Sequence, residues 1–211
     1  MTQSPNQQIA KFPVNGLGAI VMAAGLGKRM RSKAAKVLHR VAGRAMFLYA
    51  VDLARRLASE GVVVVVGHQG DRVKAVLEAD VAATVERADL RGYPAREKGL
   101  TAHVRQRAGL APAVFFAEQP EPLGTGHAVM QARRVLLRLR KTPAQAFLVL
   151  NGDTPLLQEA TLRDLIRLHR EEKAAVTMLT ARLDEPSGYG RVVRGKDGRV
   201  ARIVEERDAT E

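Results

Sequence analysis

Five valines in a row, Val62–Val66, constrain this chain more than any other feature. β-Branched side chains crowd a helix and suit a pleated strand. Successive strand residues point to opposite faces, so an unbroken apolar run must be buried on both. That is the condition of a central strand in a parallel sheet covered by helices. Ala19–Ala23 reads as a second such strand, running into Gly25-Leu26-Gly27. Ala113–Ala117 and Phe147–Leu150 read as two more, the last ending in Asn151-Gly152-Asp153. Helical spacing falls between them, over Ala45–Leu57, Asp71–Leu77, His127–Leu139 and Thr161–Lys173. Thr161 stands three residues before Asp164, as an N-cap would. Val176–Leu183 reads as a further strand. Tyr189–Val193 and Val200–Glu205 alternate like an antiparallel pair around Lys196-Asp197-Gly198.

Strands alternating with helices predict an α/β fold: a doubly wound, mostly parallel, Rossmann-like sheet with antiparallel C-terminal strands. In such sheets ligands sit beyond the carboxyl ends of the strands, where the strand order reverses. The chain of 211 residues suits one domain, and 46% hydrophobic residues are enough to fill its core. Residues 1–18 are polar, with Pro5 and Pro13, and are expected to be a disordered tail without a signal peptide's apolar stretch. Residues 19–211 form the domain, interrupted by an insertion at 86–112 that holds six basic and three acidic residues. No apolar run approaches the ~20 residues of a membrane span, so a cytoplasmic location and no membrane partner are expected.

Charge and composition narrow the chemistry. With 34 Lys+Arg against 22 Asp+Glu, the formal net charge is +12, which suits an anionic partner. Nucleic acid is not the expected one, because at 4% aromatic and no Trp there is little to stack bases on. The absence of Cys excludes a disulfide scaffold, Cys-ligated zinc and a cysteine nucleophile.

Three loops at strand ends carry the candidate site. Gly25 and Gly27 follow the first strand, where glycines let backbone N–H groups approach a phosphate chain. Neither familiar phosphate loop fits, since Lys28 is followed by Arg29 rather than Ser or Thr, and Met30 stands where a dinucleotide fingerprint needs glycine. Lys28–Arg44 nevertheless holds seven basic residues and no acidic one, a field suited to a triphosphate. After the fourth strand, the lone carboxylate of Asp153 can hold Mg²⁺ through one oxygen, or form an Asx turn. Gln119 through His127 follow the third strand. There the Gln119 amide can donate and accept toward a base, and Gly124 and Gly126 let backbone lie close to a flat ring. His127 has no partner at catalytic or metal spacing and reads as a helix-start residue.

These segments, with Lys36-Val37-Leu38-His39, Gly188-Tyr189-Gly190-Arg191 and Ile203 through Thr210, resemble the uridyltransferase domain of bifunctional UDP-N-acetylglucosamine pyrophosphorylase/glucosamine-1-phosphate acetyltransferases. The first-loop motif is shared with the broader MobA-like nucleotidyltransferase group. The Leu123–His127 string and the Val-Glu-Glu-Arg-Asp-Ala-Thr string are more specific. The resemblance runs from about Ala19 to Glu211 and breaks at 86–112. It implies a nucleotide-diphospho-sugar transferase fold, with Ala23, Ala24 and Gly25 lining the nucleotide and Gln119, Gly124 and Thr125 holding uracil. It further implies that Arg29 and Lys36 clamp phosphates, that Asp153 binds Mg²⁺ as the cofactor, and that Gly190 and Glu205 touch the amino sugar. The implied reaction joins UTP and N-acetylglucosamine 1-phosphate to give UDP-N-acetylglucosamine, a cell-wall precursor, and pyrophosphate. A related transferase with another acceptor, or an inactive nucleotide-binding remnant, would share the same loops.

Two departures stand out. Ala35 occupies the position where the family usually has Pro before the lysine. Family residues that complete the sugar pocket and the metal site would lie beyond Glu211. They are expected to come from continuing chain or from a second subunit of a homo-oligomer, with weak turnover by residues 1–211 alone.

Overall fold

The computed structural model describes residues 13–25, 27, 30, 32–87, 112–138 and 144–209. Arg29 and most of the 86–112 insertion lie outside the described residues, as do residues 1–12 of the expected tail. The chain divides into two compact units, Met1–Arg163 and Asp164–Glu211.

The first unit is built on β1 (Leu17–Ala23), β4 (Val62–Val66), β5 (Val114–Glu118) and β6 (Ala146–Asn151). These four strands form one sheet in the order β5-β4-β1-β6, and every pairing is parallel. The five valines are β4, each no more than 1% exposed, as a strand covered on both faces requires. A strand on one side of β1 and then on the other reverses the order between β1 and β6. The carboxyl ends there are the expected ligand position. β1 begins at Leu17, inside the segment expected as a tail, and Val14 bridges to Ala58.

Helices cover the sheet. α1 (Met46–Leu57) packs against β1, β4 and β6, and α3 (Thr125–Arg138) against β1, β4 and β5. Ala128, Ala132 and Leu136 of α3 are the stripe that meets Ile20, Val63, Val65 and Ala117; small residues let the helix lie close. Leu137 is 44% exposed because it stands one position off that stripe. α2 (Gly70–Arg87) runs well past the expected Leu77. Val73, Leu77 and Val81 continue a buried i, i+4, i+8 line, and the alanines between them favour helix.

A hairpin joins β1 to α1. β2 (Arg40–Val41) and β3 (Arg44–Ala45) are linked by Ala42 and Gly43, both with positive φ, as a tight two-residue turn demands. Arg44 fastens it: Nε donates to Asp80 Oδ1 at 3.0 Å and Nη2 to Asp80 Oδ2 at 2.8 Å, while Nη1 pairs with Asp52. Those hydrogen bonds hold the guanidinium well above its ordinary pKa.

α4 (Glu159–Glu171) begins two residues before Thr161, so Thr161 is helical and caps nothing. The acidic residue of the first turn is Glu159, whose carboxylate accepts hydrogen bonds from Arg163 and from Arg56 on α1. In the second unit β7 (Arg191–Arg194) and β8 (Val200–Val204) form the expected antiparallel pair. Val176–Leu183 is not a strand. Among the described residues no strand pairs with it, and without a neighbour's ladder β propensity does not suffice. Val176 is 82% exposed. No helix among the described residues is long and apolar enough to cross a membrane.

Candidate active site

A cleft of about 510 Å³ opens at the carboxyl ends of β1, β5 and β6, on the reversal in strand order. Three loops line it. Ala24, Gly25 and Gly27 come from the first, Gln119, Gly124 and Thr125 from the third-strand loop, and Asn151 and Asp153 from the end of β6. Lys36 enters from a short 3-10 turn, Lys36–Leu38. Ala23 is buried as the last residue of β1 and is not part of the lining.

Close packing sets the positions. Gly152 donates its N–H to Met22 O at 2.9 Å, which holds the Asp153 loop against the end of β1. A Cβ on Gly152 would stand 2.8 Å from that oxygen and 3.3 Å from both Phe47 Cβ and Val37 Cγ1. Gly27 has φ +59°, and a Cβ there would meet Lys36 Cβ at 2.7 Å. Gly27 of the first loop thus lies directly against Lys36, a cation of the cleft lining.

Lys36 Nζ is 2.6 Å from Asp153 Oδ2, with both side chains partly exposed. The two candidates, read separately in the sequence, form one ion pair on the cleft wall. Among the described residues no group of three or more His, Cys, Asp or Glu could cage a metal. A single carboxylate fits Mg²⁺, which keeps most of its shell for water and substrate phosphates.

Gln119 is 7% exposed, and its backbone N–H continues the ladder to Val66 O at 2.8 Å. Its Nε2 donates to Gly124 O at 3.0 Å and lies 3.3 Å from His127 Nδ1. With its amino group engaged by the loop, the carbonyl oxygen of Gln119 can accept from a ligand N–H. His127 ties Gln119 to Gln131 on α3, as a helix-start residue can. Gly124 takes φ +94°, a conformation that frees its carbonyl for both Gln119 and Ala128 N.

A smaller cavity of about 280 Å³ shares Ala24, Gln119 and Pro122 and extends to Gly67 and His68. On α2, Lys74 reaches Glu118 at 2.7 Å, and this hydrogen bond raises the Lys74 ammonium and lowers the Glu118 carboxyl. The β4–α2 turn, residues 67–69, went unnoticed in the sequence. Its signal was the pair of glycines around His68-Gln69 at the end of the valine strand. Gly190 and Glu205 lie in the second unit, where a Cβ on Gly190 would be 3.9 Å from Glu205 Oε2.

Residues 19–196 match the family model described as "MobA-like NTP transferase domain". The chain belongs to that family. Bifunctional protein GlmU of Thermoanaerobacter pseudethanolicus is 41% identical over 199 residues, covering 94% of this chain and 35% of that protein. Its namesake from Anaeromyxobacter sp. strain K is 45% identical over 195 residues, covering 92% and 33%. The chain therefore spans about a third of the length of the curated relatives it matches. HddC from Yersinia pseudotuberculosis has the same fold, with a TM-score of 0.51 at 18% identity, covering 89% of this chain and 68% of that one.

Proposed function

We propose that this member of the family is a sugar-1-phosphate uridylyltransferase, making UDP-N-acetylglucosamine and pyrophosphate from UTP and N-acetylglucosamine 1-phosphate. The observation that carries the reading is the cleft itself: a glycine loop, a Lys36–Asp153 pair and the Gln119 amide meet at the switch point of a parallel sheet. A phosphate oxygen of the sugar phosphate attacks the α-phosphorus in line. The α–β P–O bond breaks, and pyrophosphate leaves with its electron pair. Positioning and charge neutralisation do the catalysis, so no protein nucleophile is called for. The backbone of Gly25 and Gly27 lies along the triphosphate, Lys36 contacts its phosphates, and Gln119 with Gly124 and Thr125 reads the base. Arg29 is assigned to the phosphates by family likeness alone. Asp153 is the residue that would hold Mg²⁺, which when bound neutralises charge on the triphosphate. Gly190 and Glu205 are assigned to the sugar. We place the reaction in the cytoplasm, where nucleoside triphosphates are made.

The test is a comparison of ligands. A ligand that binds only the folded chain raises its melting temperature by mass action. UTP with Mg²⁺ is expected to raise it more than ATP, CTP or GTP with Mg²⁺. Pyrophosphate release is then assayed across a panel of sugar 1-phosphates. Equal shifts with all four nucleotides would remove the uracil assignment.

A further inference from the structure

We propose that Gln69 is a positioning residue, whose side-chain amide holds the chain segment that delivers Lys36 to the cleft. This rests on the reading of Lys36 as a phosphate-contacting residue. Gln69 lies in the turn between β4 and α2, well away in sequence from the segment it grips. Its Nε2 donates to Lys33 O at 2.7 Å, and its Oε1 accepts from Ala35 N at 3.1 Å. Oε1 also accepts from Arg72 Nη1 at 3.2 Å. One planar amide thus pairs with a stretch of backbone on both of its edges, as a neighbouring strand would.

The segment has need of it. Lys36 opens a 3-10 turn of three residues, and Ala35, the residue at its N-cap, makes no side-chain capping bond. The turn's own bonds, Leu38 N–H to Ala35 O at 2.9 Å and His39 N–H to Lys36 O at 3.2 Å, run forward from Ala35 and Lys36 and leave the chain before them to be held by other elements. Gly27 packs on Lys36 from one side, and Asp153 takes its ammonium. Gln69 anchors Lys33 and Ala35, three residues and one residue before it.

Backbone strain at Gln69 points the same way. Its φ is +68°, the left-handed region that disfavours side chains other than glycine. Glycine would fit this turn with less strain, and Gly67 and Gly70 already flank it. A side chain kept against that preference is one whose contacts matter.

Ala35 supplies the last step. It has φ −56°, a value a proline ring would impose unaided, with ψ 141° in the extended range open to proline. A proline here would have no N–H to offer. This chain has alanine, whose free N–H Gln69 takes up. Gln69 restrains from outside what a ring would restrain from within.

Two variants separate positioning from simple bracing. Gln69→Gly removes the amide and accepts φ +68° without strain, so the fold survives. Ala35→Pro restores the restraint without Gln69. In the ligand-free chain, acetylation of Lys36 by acetic anhydride, read by peptide mass spectrometry against the exposed Lys173, is expected to quicken several-fold in Gln69→Gly. Lys173 should not change. Titration with UTP and Mg²⁺ should weaken about tenfold in Gln69→Gly, the order expected for losing two hydrogen bonds. In a Lys36→Ala background Gln69→Gly should add almost nothing, since both changes act on the same contact. Ala35→Pro with Gln69→Gly should recover most of the affinity and slow Lys36 labelling again. Unchanged labelling of Lys36, an equal loss in the Lys36→Ala background, or a loss that follows melting temperature and resists Ala35→Pro would each overturn the proposal. If the wild type binds no UTP, the nucleotide reading fails, while the labelling experiment still decides the role of Gln69.

Discussion

Gly152 shows how one missing side chain shapes the site. It separates Asn151 from Asp153, and three different elements press on the space its Cβ would need: Met22 O of β1, Val37 of the 3-10 turn and Phe47 of α1. Gly152→Ala is expected to cost about 1–3 kcal/mol, the range for overpacking. That would appear as a lower melting temperature, by about 2–4 °C per kcal/mol for a chain of this size. Because β1 oxygen is the closest contact, relief must come from the loop, which carries Asp153 away from Lys36. Gly126→Ala is the control: nothing lies within 4 Å of its Cβ position and alanine suits a helix better than glycine, so it should melt no lower than the wild type. Equal melting of both variants would show that the contact at Met22 yields freely. At this scale the sequence was informative about chemistry and silent about partnership. Lys36 was legible as a candidate toward phosphates and Asp153 as a candidate toward Mg²⁺. Their ion pair was not, since 117 positions separate them and only the sheet order brings them together. Gln69 was missed for the same reason, its contacts lying 34 and 36 residues away in the chain.

Elements were legible where their pattern was self-contained. The valine run could be nothing but a doubly covered strand, and the glycine punctuation marked where the sheet ended. Val176–Leu183 has as strong a β pattern, yet a strand exists only if a neighbour completes its ladder, and no local pattern records that. The start of α4 was misplaced because Thr161 is a better cap by type than anything at Gln158. The charge at Glu159 decides instead. It sits in the first turn, where the helix dipole favours an anion, and accepts from Arg163 four residues on and from Arg56 on α1. Burial pushes the Glu159 carboxyl up, but hydrogen bonds and charge from Arg163 and Arg56 outweigh it and leave it below the usual value. A carboxyl lowered in the folded state stabilises above its unfolded pKa of about 4.3, and this is lost as pH falls through the folded value. Glu159→Gln should therefore cost about 0.5–1 kcal/mol near neutral pH, a partly exposed network being screened. Denaturant titrations at several pH values should show the two proteins converging below about pH 4. A difference that persists at acid pH would mean that Glu159 acts by packing rather than charge.

Across the whole molecule, charge and proposed chemistry divide along the same line. Residues 1–163 hold 24 of the 34 Lys+Arg and 12 of the 22 Asp+Glu, so the entire +12 excess belongs to the unit with the cleft proposed for the nucleotide. Residues 164–211 hold ten of each and are neutral, and they carry the two residues assigned to the sugar. A polyanionic nucleotide gains from such a field, which salt screens over about 10 Å at 0.1 M. The affinity for UTP with Mg²⁺ is accordingly expected to fall steadily as salt rises. Glu205→Gln should leave that affinity within about twofold, because Glu205 is assigned to the sugar and not to the nucleotide. The sugar should behave in the opposite manner. When the UTP-saturated chain is titrated with N-acetylglucosamine 1-phosphate, Glu205→Gln should weaken binding about tenfold, the loss typical of a hydrogen bond made by a charged group. Glucosamine 1-phosphate, which lacks the acetyl group, probes which part of the sugar Glu205 reads. A parallel loss of UTP affinity in Glu205→Gln would show that the carboxylate serves the nucleotide instead, and the division between the two units would not hold.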